Sequence, residues 1–286
     1  MRALVVNGDD FGLTAGVNAG ILDAHARGIL TSASLFANAP ATADAIAIAR
    51  RTPTLGVGCH LTLVDGVPML PSSELPTLAA GGRLRPTWIA FIRDVVLGRI
   101  QIGEIERELT AQVQRLVDAG LTLTHLDSHK HVHAYPPVFA IVGRIARRFG
   151  IPAVRVPCEP RPLTLVRRYA RAAGPRRQAI ENLALVPWAA RDRSWLRRNG
   201  FPPAARFLGR ALTGAFTPAA LRGLVESLPE GTSELMMHPG YPDAALDRVR
   251  TRLREERARE VRLLIDPATL AAVAHAGIAL VRHDRP

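Results

Sequence analysis

The chain has 286 residues, 48% of them hydrophobic, enough to bury the core of one barrel-sized α/β domain or of two smaller ones. Its 37 Lys and Arg against 25 Asp and Glu leave a net charge of +12, and since Lys130 is the one lysine, the excess is arginine. No apolar run approaches the roughly 18 residues of a membrane span, the start MRALVVNGDD lacks the apolar stretch of a signal peptide, and two cysteines make no disulfide framework, so a cytoplasmic protein is expected.

Ala3 to Asn7 reads as a short apolar strand running straight into GDDFG. Ala15 to Gly28 reads as a helix, with Val17, Ile21 and Leu22 on one face and Gly28 as its C-cap. Thr31–Phe36 and Gly56–Leu63 are the next strands, with a helix over Ala41–Arg51 between them and a Gly/Pro-rich loop from Val64 to Pro86 after them. Ile105, Leu109, Val113, Leu116 and Val117 keep a 3.6-residue period up to Gly120. Leu121–Asp127 follows as a strand, Pro137–Gly150 as a helix and Ala153–Val156 as a fifth strand. Strands alternating with helices of this length imply βαβ units and a parallel sheet. The number of units favours an incomplete or distorted (β/α) barrel, TIM-like, over an open doubly wound sheet.

The alternation breaks between about 161 and 228, where the chain is arginine-rich and carries Trp188, Trp195 and Phe201. This stretch is expected to be a helical insertion in a single domain spanning 1–286, either a cap over the barrel mouth or a lid facing lipid or a long substrate. Beyond it, Glu234–His238 is a strand, Pro267 opens a helix behind Asp266 as N-cap, and Ile278–His283 closes the chain. The arginine excess suits a solvated surface or an anionic membrane touched from its inner face. Nucleic acid is not an expected partner, because aromatics are 5% and no helix-turn-helix, zinc-finger or RNA-recognition pattern is present.

The residues able to do chemistry sit at predicted strand ends, which form the active face of a parallel α/β barrel. Asp9 and Asp10 are adjacent carboxylates, costly neighbours unless a cation or proton separates them. A metal would let one ligate while the other stays free as a base. His60 lies in an apolar strand with Cys59 on the opposite face. THLDSHKHVH packs His125, Asp127, His129, His131 and His133 at alternate positions, so an extended chain points all five the same way. Together these suggest a two-histidine, one-carboxylate site for one divalent ion: Asp10, His60 and one cluster histidine, with His129 the first beyond the strand. Asp127, His131 and His133 would orient ligands or contact substrate. The donor set suits zinc, and mixed oxygen and nitrogen ligation leaves magnesium open. His238, before Pro-Gly at a late strand end, is placed to act as a general acid. Arg155, inside a short apolar strand, needs an inward carboxylate, and Asp9 is the expected partner.

NGDDFG, GCHLTL, THLDSHKHVH, VRVP and MMHPGY, in that order, resemble the YdjC-like carbohydrate deacetylase family, which includes chitooligosaccharide deacetylases of the ChbG type. Gly8 stands where the family usually has alanine. The arginine-rich stretch and the loop at 64–86 resemble its hopanoid biosynthesis-associated HpnK subgroup. The resemblance implies a distorted TIM-like barrel, a divalent metal, and hydrolysis of the acetamide of an N-acetylglucosamine unit on a lipid-linked or a soluble chitooligosaccharide substrate. It implies Asp10, His60 and a histidine of 129–133 as ligands, Asp9 as general base and His238 as acid. A metal-dependent phosphoesterase, a lipid- or glycan-binding protein without turnover, and a basic nucleic-acid binder are the rival readings.

Overall fold

A computed structural model of the chain describes residues 1–160, 173–183, 185–202, 204 and 206–285. β1 (Arg2–Phe11) is the hub of the sheet, and Ala3, Leu4, Val5 and Val6 on its two faces are all buried, as expected of a parallel strand covered on both sides. One edge of β1 pairs with β6 (Gly231–Met237) along Arg2–Gly8. The other edge is shared, with β2 (Ser32–Leu35) on Asn7–Phe11 and β7 (Ile278–Leu280) on Arg2–Leu4. Six of the seven strands follow the path β4-β3-β2-β1-β6-β5, with β7 off it beside β1 and all pairings parallel, where β3 is Gly56–Leu61, β4 Leu126–Ser128 and β5 Arg206–Leu208.

This sheet curls. Val154 bridges to Leu126 of β4, so Arg155 starts five strand steps from β6, about 24 Å away if the sheet were flat. Its guanidinium nonetheless bonds Glu234 of β6 at 2.7 Å, which only a half-barrel with inward-facing side chains allows. The expected α/β barrel architecture is thus present as a half-barrel; among the described residues no ladder closes it between β5 and the Val154 bridge.

The helices follow from local sequence. Thr14 caps α1 (Ala15–Arg27), its Oγ1 accepting from the Val17 N–H at 3.2 Å. Gly28 ends that helix in extended rather than left-handed backbone; glycine is needed there because a Cβ would lie 2.4 Å from the Leu264 carbonyl oxygen. α2 (Thr42–Arg51) leads to β3, α3 (Trp88–Val96) follows the long loop, and α4 (Ile102–Asp118) holds that loop down. Glu104, Glu108 and Gln112, spaced by four on the buried face of α4, reach across to it. Glu104 accepts from the N–H groups of Thr77 and Leu78, Glu108 from those of Met69 and Leu70, and Gln112 from that of Thr62. α5 (Pro136–Arg148) returns toward the Val154 bridge.

Two strand expectations need correction. The strand expected at Leu121–Asp127 narrows to Leu126–Ser128, and Ala153–Val156 supplies one bridge rather than a strand. The stretch from 161 to 228 is not helical throughout either. Its residues 161–172, 184, 203 and 205 lie outside the described residues. The remainder contains α6 (Ala173–Leu183) and α7 (Val186–Arg198), then β5, then α8 (Pro218–Glu226), which connects β5 to β6 as an ordinary crossover. α9 (Glu255–Ile265) and α10 (Pro267–His275) complete the chain before β7, with Asp266 capping α10 as expected. Among the described residues no helix is long and apolar enough to cross a membrane.

Candidate metal centre

Neighbouring residues on a regular strand point to opposite faces, so Asp9 and Asp10 should not share a site. β1 resolves this with an irregularity. Its register against β2 shifts between Gly8 and Phe11, and Asp10 adopts φ +70°, a left-handed conformation that an L-residue holds only at a cost. The kink turns both carboxylates toward the half-barrel's interior, where each meets its own arginine.

Asp9 takes Arg155 through two parallel bonds, Nη1 to Oδ2 and Nη2 to Oδ1, each 2.8 Å. Asn7 Nδ2 donates to Asp9 Oδ1 at 2.8 Å and also to Ser34 Oγ. The Arg155 guanidinium lies between three carboxylates: Asp9, Asp127 (2.5 Å) and Glu234 (2.7 Å). Burial pushes the Asp9 carboxyl up, against the pull of Arg155. The expected Arg155–Asp9 pair is therefore present, as one limb of a buried four-charge network.

Asp10 is held differently. Arg257, on α9, donates from Nη2 to Asp10 Oδ2 at 2.5 Å, and that guanidinium keeps the carboxyl well below the usual range despite burial. Asp10 Oδ1 is buried without a hydrogen-bond partner. It faces two imidazole nitrogens, His60 Nε2 at 3.6 Å and His129 Nδ1 at 3.5 Å, and the three donor atoms lie within 4.8 Å of one another. The other ring nitrogen of His60, Nδ1, meets Asp127 Oδ1 at 2.8 Å, an arrangement that fixes both tautomer and ring orientation. Phe36 stands edge-on to both rings, at 4.7 Å from His60 and 5.4 Å from His129.

Asp9, His60 and Asp127 form a second cluster of ligand-type atoms within 4.8 Å. There the Arg155 guanidinium already balances the two carboxylates. The orphaned Oδ1 between two imidazoles makes Asp10–His60–His129 the set that fits a divalent ion. Its mixed donors suit a borderline cation such as zinc better than magnesium.

The histidine cluster does not behave as an extended strand. Chain extension stops at Ser128; residues His129–Ala134 form a tight turn in which Lys130 (φ +53°) and His131 (φ +55°) are left-handed. The five side chains therefore do not point one way. His129 faces Asp10. His131 lies edge-on to Phe207 of β5, and burial drives its pKa well down. His133 meets Ser128 Oγ at 2.7 Å and the Arg155 carbonyl oxygen at 3.0 Å, which ties the turn to the Val154 bridge. His125 stacks on His283 with ring centroids 3.8 Å apart and meets Ser34 Oγ at 3.0 Å.

His238 follows β6, and its N–H is held by Glu260 Oε2 at 2.5 Å. Its Nδ1 is buried without a partner, and burial pushes its pKa down to about 3, against the pull of Asp10. Cys59 and Cys158 are free, buried thiols.

Sequence reasoning missed Arg257, Glu234 and Asn7. A signal existed for Arg257: with Val261 and Leu264 it falls at i, i+4 and i+7 on the buried face of α9, a place where a charge needs a partner. Glu234 and Asn7 gave less sign of themselves, since a polar residue within an apolar strand reads equally well as a solvent-facing position.

A model of the family described as YdjC-like protein matches residues 3–275. A carbohydrate deacetylase of Geobacillus stearothermophilus is 34% identical over 283 residues, covering 99% of this chain and 97% of its own. A chitooligosaccharide deacetylase of Salmonella schwarzengrund is 34% identical over 279 residues, with 96% of each chain covered. The crystal structure of an Enterococcus faecalis V583 protein provisionally assigned to cellobiose-phosphate cleavage superposes with a TM-score of 0.78 at 24% identity, over 99% of this chain and 98% of that one. That likeness speaks for the fold.

Proposed function

The chain belongs to the YdjC-like protein family, and from that premise we propose that it hydrolyses the acetamide of an N-acetylglucosamine-containing glycan, with one divalent ion held by Asp10, His60 and His129. The observation that carries this reading is Asp10 Oδ1: a buried carboxylate oxygen with no protein donor, facing two imidazoles and flanked by a second carboxylate. Deacetylase relatives alignable over nearly their whole length support the substrate class.

An amide carbonyl is a weak electrophile and water a weak nucleophile at neutral pH. When bound, the ion would polarise the carbonyl and acidify water. Asp127 holds the His60 ring by its Nδ1 and so leaves Nε2 free on the Asp10 side. Arg257 takes Asp10 Oδ2, which leaves Oδ1 as the ligating atom. Asp9 is the carboxylate assigned to accept the attacking water's proton, with Arg155 fixing its plane by two bonds. His238, a neutral imidazole at rest, is assigned to relay to the departing amine the proton released by the attacking water; its Glu260-anchored backbone sets its position at the end of β6. His131 and His133 contribute to the shape of the turn rather than to the ligand set.

A second reading of the substrate, a lipid-linked N-acetylglucosamine of the hopanoid type handled at the inner membrane face, is supported by exposed arginines on α6 and α7 (Arg176, Arg177, Arg191, Arg197 and Arg198), a charge pattern that suits anionic headgroups. The buried free thiols fit the cytoplasmic location that goes with it.

The test is acetate release from a soluble N-acetylglucosamine disaccharide and from an N-acetylglucosaminyl lipid, with the metal content of the same preparations measured. Metal-dependent release from either substrate is expected. No release from both, with metal bound, would overturn the deacetylase reading.

A further inference from the structure

The ladder between β3 and β4 ends at the pair Leu61–Ser128. His60 lies inside it, paired with Asp127, whereas His129 comes one residue past its end, where strand pairing no longer fixes the chain. An ion pair crosses at that point: Lys130 Nζ, next to His129, donates to Asp65 Oδ2, in the loop that leaves β3. We propose that Lys130 and Asp65 are positioning residues for the candidate ligand His129, and that the long loop after β3 is the bracket that holds the turn carrying it. The proposal rests on the assignment of Asp10, His60 and His129 as the ligand set.

Backbone conformation is the first support. Among the described residues, the non-glycine positions with positive φ are Asp10, Asp65 (+58°), Lys130 and His131. Such residues persist only where their surroundings over-determine them, and they gather at functional sites. Asp10 is a candidate ligand, and Lys130 and His131 directly follow one; Asp65 joins them through its pair with Lys130. The turn therefore needs holding from outside. His133 anchors its far end on Ser128 and on the Arg155 carbonyl, and Asp65 anchors the end beside His129.

The second support is that Asp65 is itself fixed. Its N–H donates to the Arg85 carbonyl oxygen at 2.8 Å, and Val64 forms a bridge with Arg85. The Arg85 guanidinium donates to Asp94 of α3 at 2.8 Å and to the carbonyl oxygens of Leu78 and Thr77. Glu104 of α4 holds the N–H groups of those same two residues. A run of direct bonds thus leads from α4 to the Asp65 carboxylate. That side chain is only 12% exposed, so solvent screens the pair less than an open surface ion pair.

The experiment is calorimetric titration of zinc into the metal-free protein, for wild type, Asp65→Gly, Asp65→Asn, Lys130→Gly, the double glycine variant, Lys130→Arg and His129→Ala. Glycine and asparagine accept left-handed backbone, so these changes remove charge without adding strain. Asp65→Gly and Lys130→Gly are each expected to weaken zinc binding by about 10–100-fold. The double variant should bind no more weakly than the singles, because both remove one interaction. Lys130→Arg, which keeps the cation, should recover most of the affinity, and Asp65→Asn should fall between wild type and Asp65→Gly. Wild-type affinity in Asp65→Gly overturns the bracket, as does a loss in Lys130→Gly that Asp65→Gly does not share. Undiminished zinc affinity in His129→Ala removes the ligand set and the bracket with it. Weakened binding in His129→Ala beside an unaffected Asp65→Gly removes the bracket alone.

Discussion

Arg257 and Asp10 lie 247 positions apart in sequence and meet at 2.5 Å, both buried. The pair does two things at once. It neutralises a carboxylate that burial would otherwise protonate, and it takes one of that carboxylate's oxygens so that only Oδ1 is left to face His60 and His129.

Replacing Arg257 by alanine should therefore cost on two scales. Breaking a buried ion pair from one side leaves an uncompensated charge, so stability should fall by about 3–5 kcal/mol. Divalent-ion affinity should fall by roughly 10–100-fold, as when a ligand loses the group that orients it. Denaturant titration and metal titration read the two effects; unchanged affinity in a folded Arg257→Ala protein would refute the orienting role.

The neighbouring carboxylates should separate under mutation. Asp10→Asn removes a ligand oxygen's charge and should yield protein largely free of metal. Asp9→Asn keeps the ligand set and should retain metal while losing about 10²–10⁴-fold in kcat for acetate release. Metal analysis beside initial rates decides this, and equal loss of metal in both variants would contradict the assigned roles.

The loop between β3 and α3 should loosen when its clamp is cut. Glu108 accepts from two backbone N–H groups, Met69 and Leu70, and also from Gln112 Nε2. Glu108→Ala leaves these donors without partners at a cost of about 1–3 kcal/mol. Hydrogen exchange at Met69 and Leu70 should accelerate markedly, while amides in the middle of β1 keep their protection relative to global stability. Unaltered exchange in the loop would mean that other contacts hold it.

Asp192 on α7 gives a pH dependence that does not involve the candidate ligands. Its carboxyl is buried, Oδ2 has no partner, and burial raises its pKa to about 8. A folded state that keeps the proton above the unfolded pKa loses stability as pH rises, from near the ordinary Asp value up to about 8, by at most roughly 1.4 kcal/mol per pH unit. Asp192→Asn should match wild type near pH 4, gain on it progressively toward pH 8, and hold a constant advantage above that. Chemical denaturation from pH 4 to 9 measures the difference, and a pH-independent gap would show that the carboxyl is not titrating as described.

Much of the site was legible from the chain alone because its residues sit at strand ends beside apolar runs. Asp10, His60 and His129 converge in space from the end of β1, from within β3 and from just after β4, the strand-end placement that their neighbouring apolar runs suggested. The Arg155–Asp9 pair was legible for a related reason: a guanidinium in an apolar strand must find a carboxylate inside. The alternation rule failed at Lys130 and His131, where two left-handed residues end the extended chain and send His129, His131 and His133 to three different partners. Backbone that leaves the strand conformation carries no period in sequence.

The sequence by itself determined the parallel α/β alternation, the apolar first strand and the membership of Asp9, Asp10, His60, Asp127 and Arg155 in one interior, because apolar patterning and the cost of buried charge are local properties. Only the tertiary structure decided how the roles divide. The kink at Asp10, its contact with Arg257 on a helix near the other end of the chain, and the turn that singles out His129 all depend on the curl of the sheet, which brings side chains from distant strands to one point. Curl is a sum over many strand pairings, and no short stretch of residues encodes it.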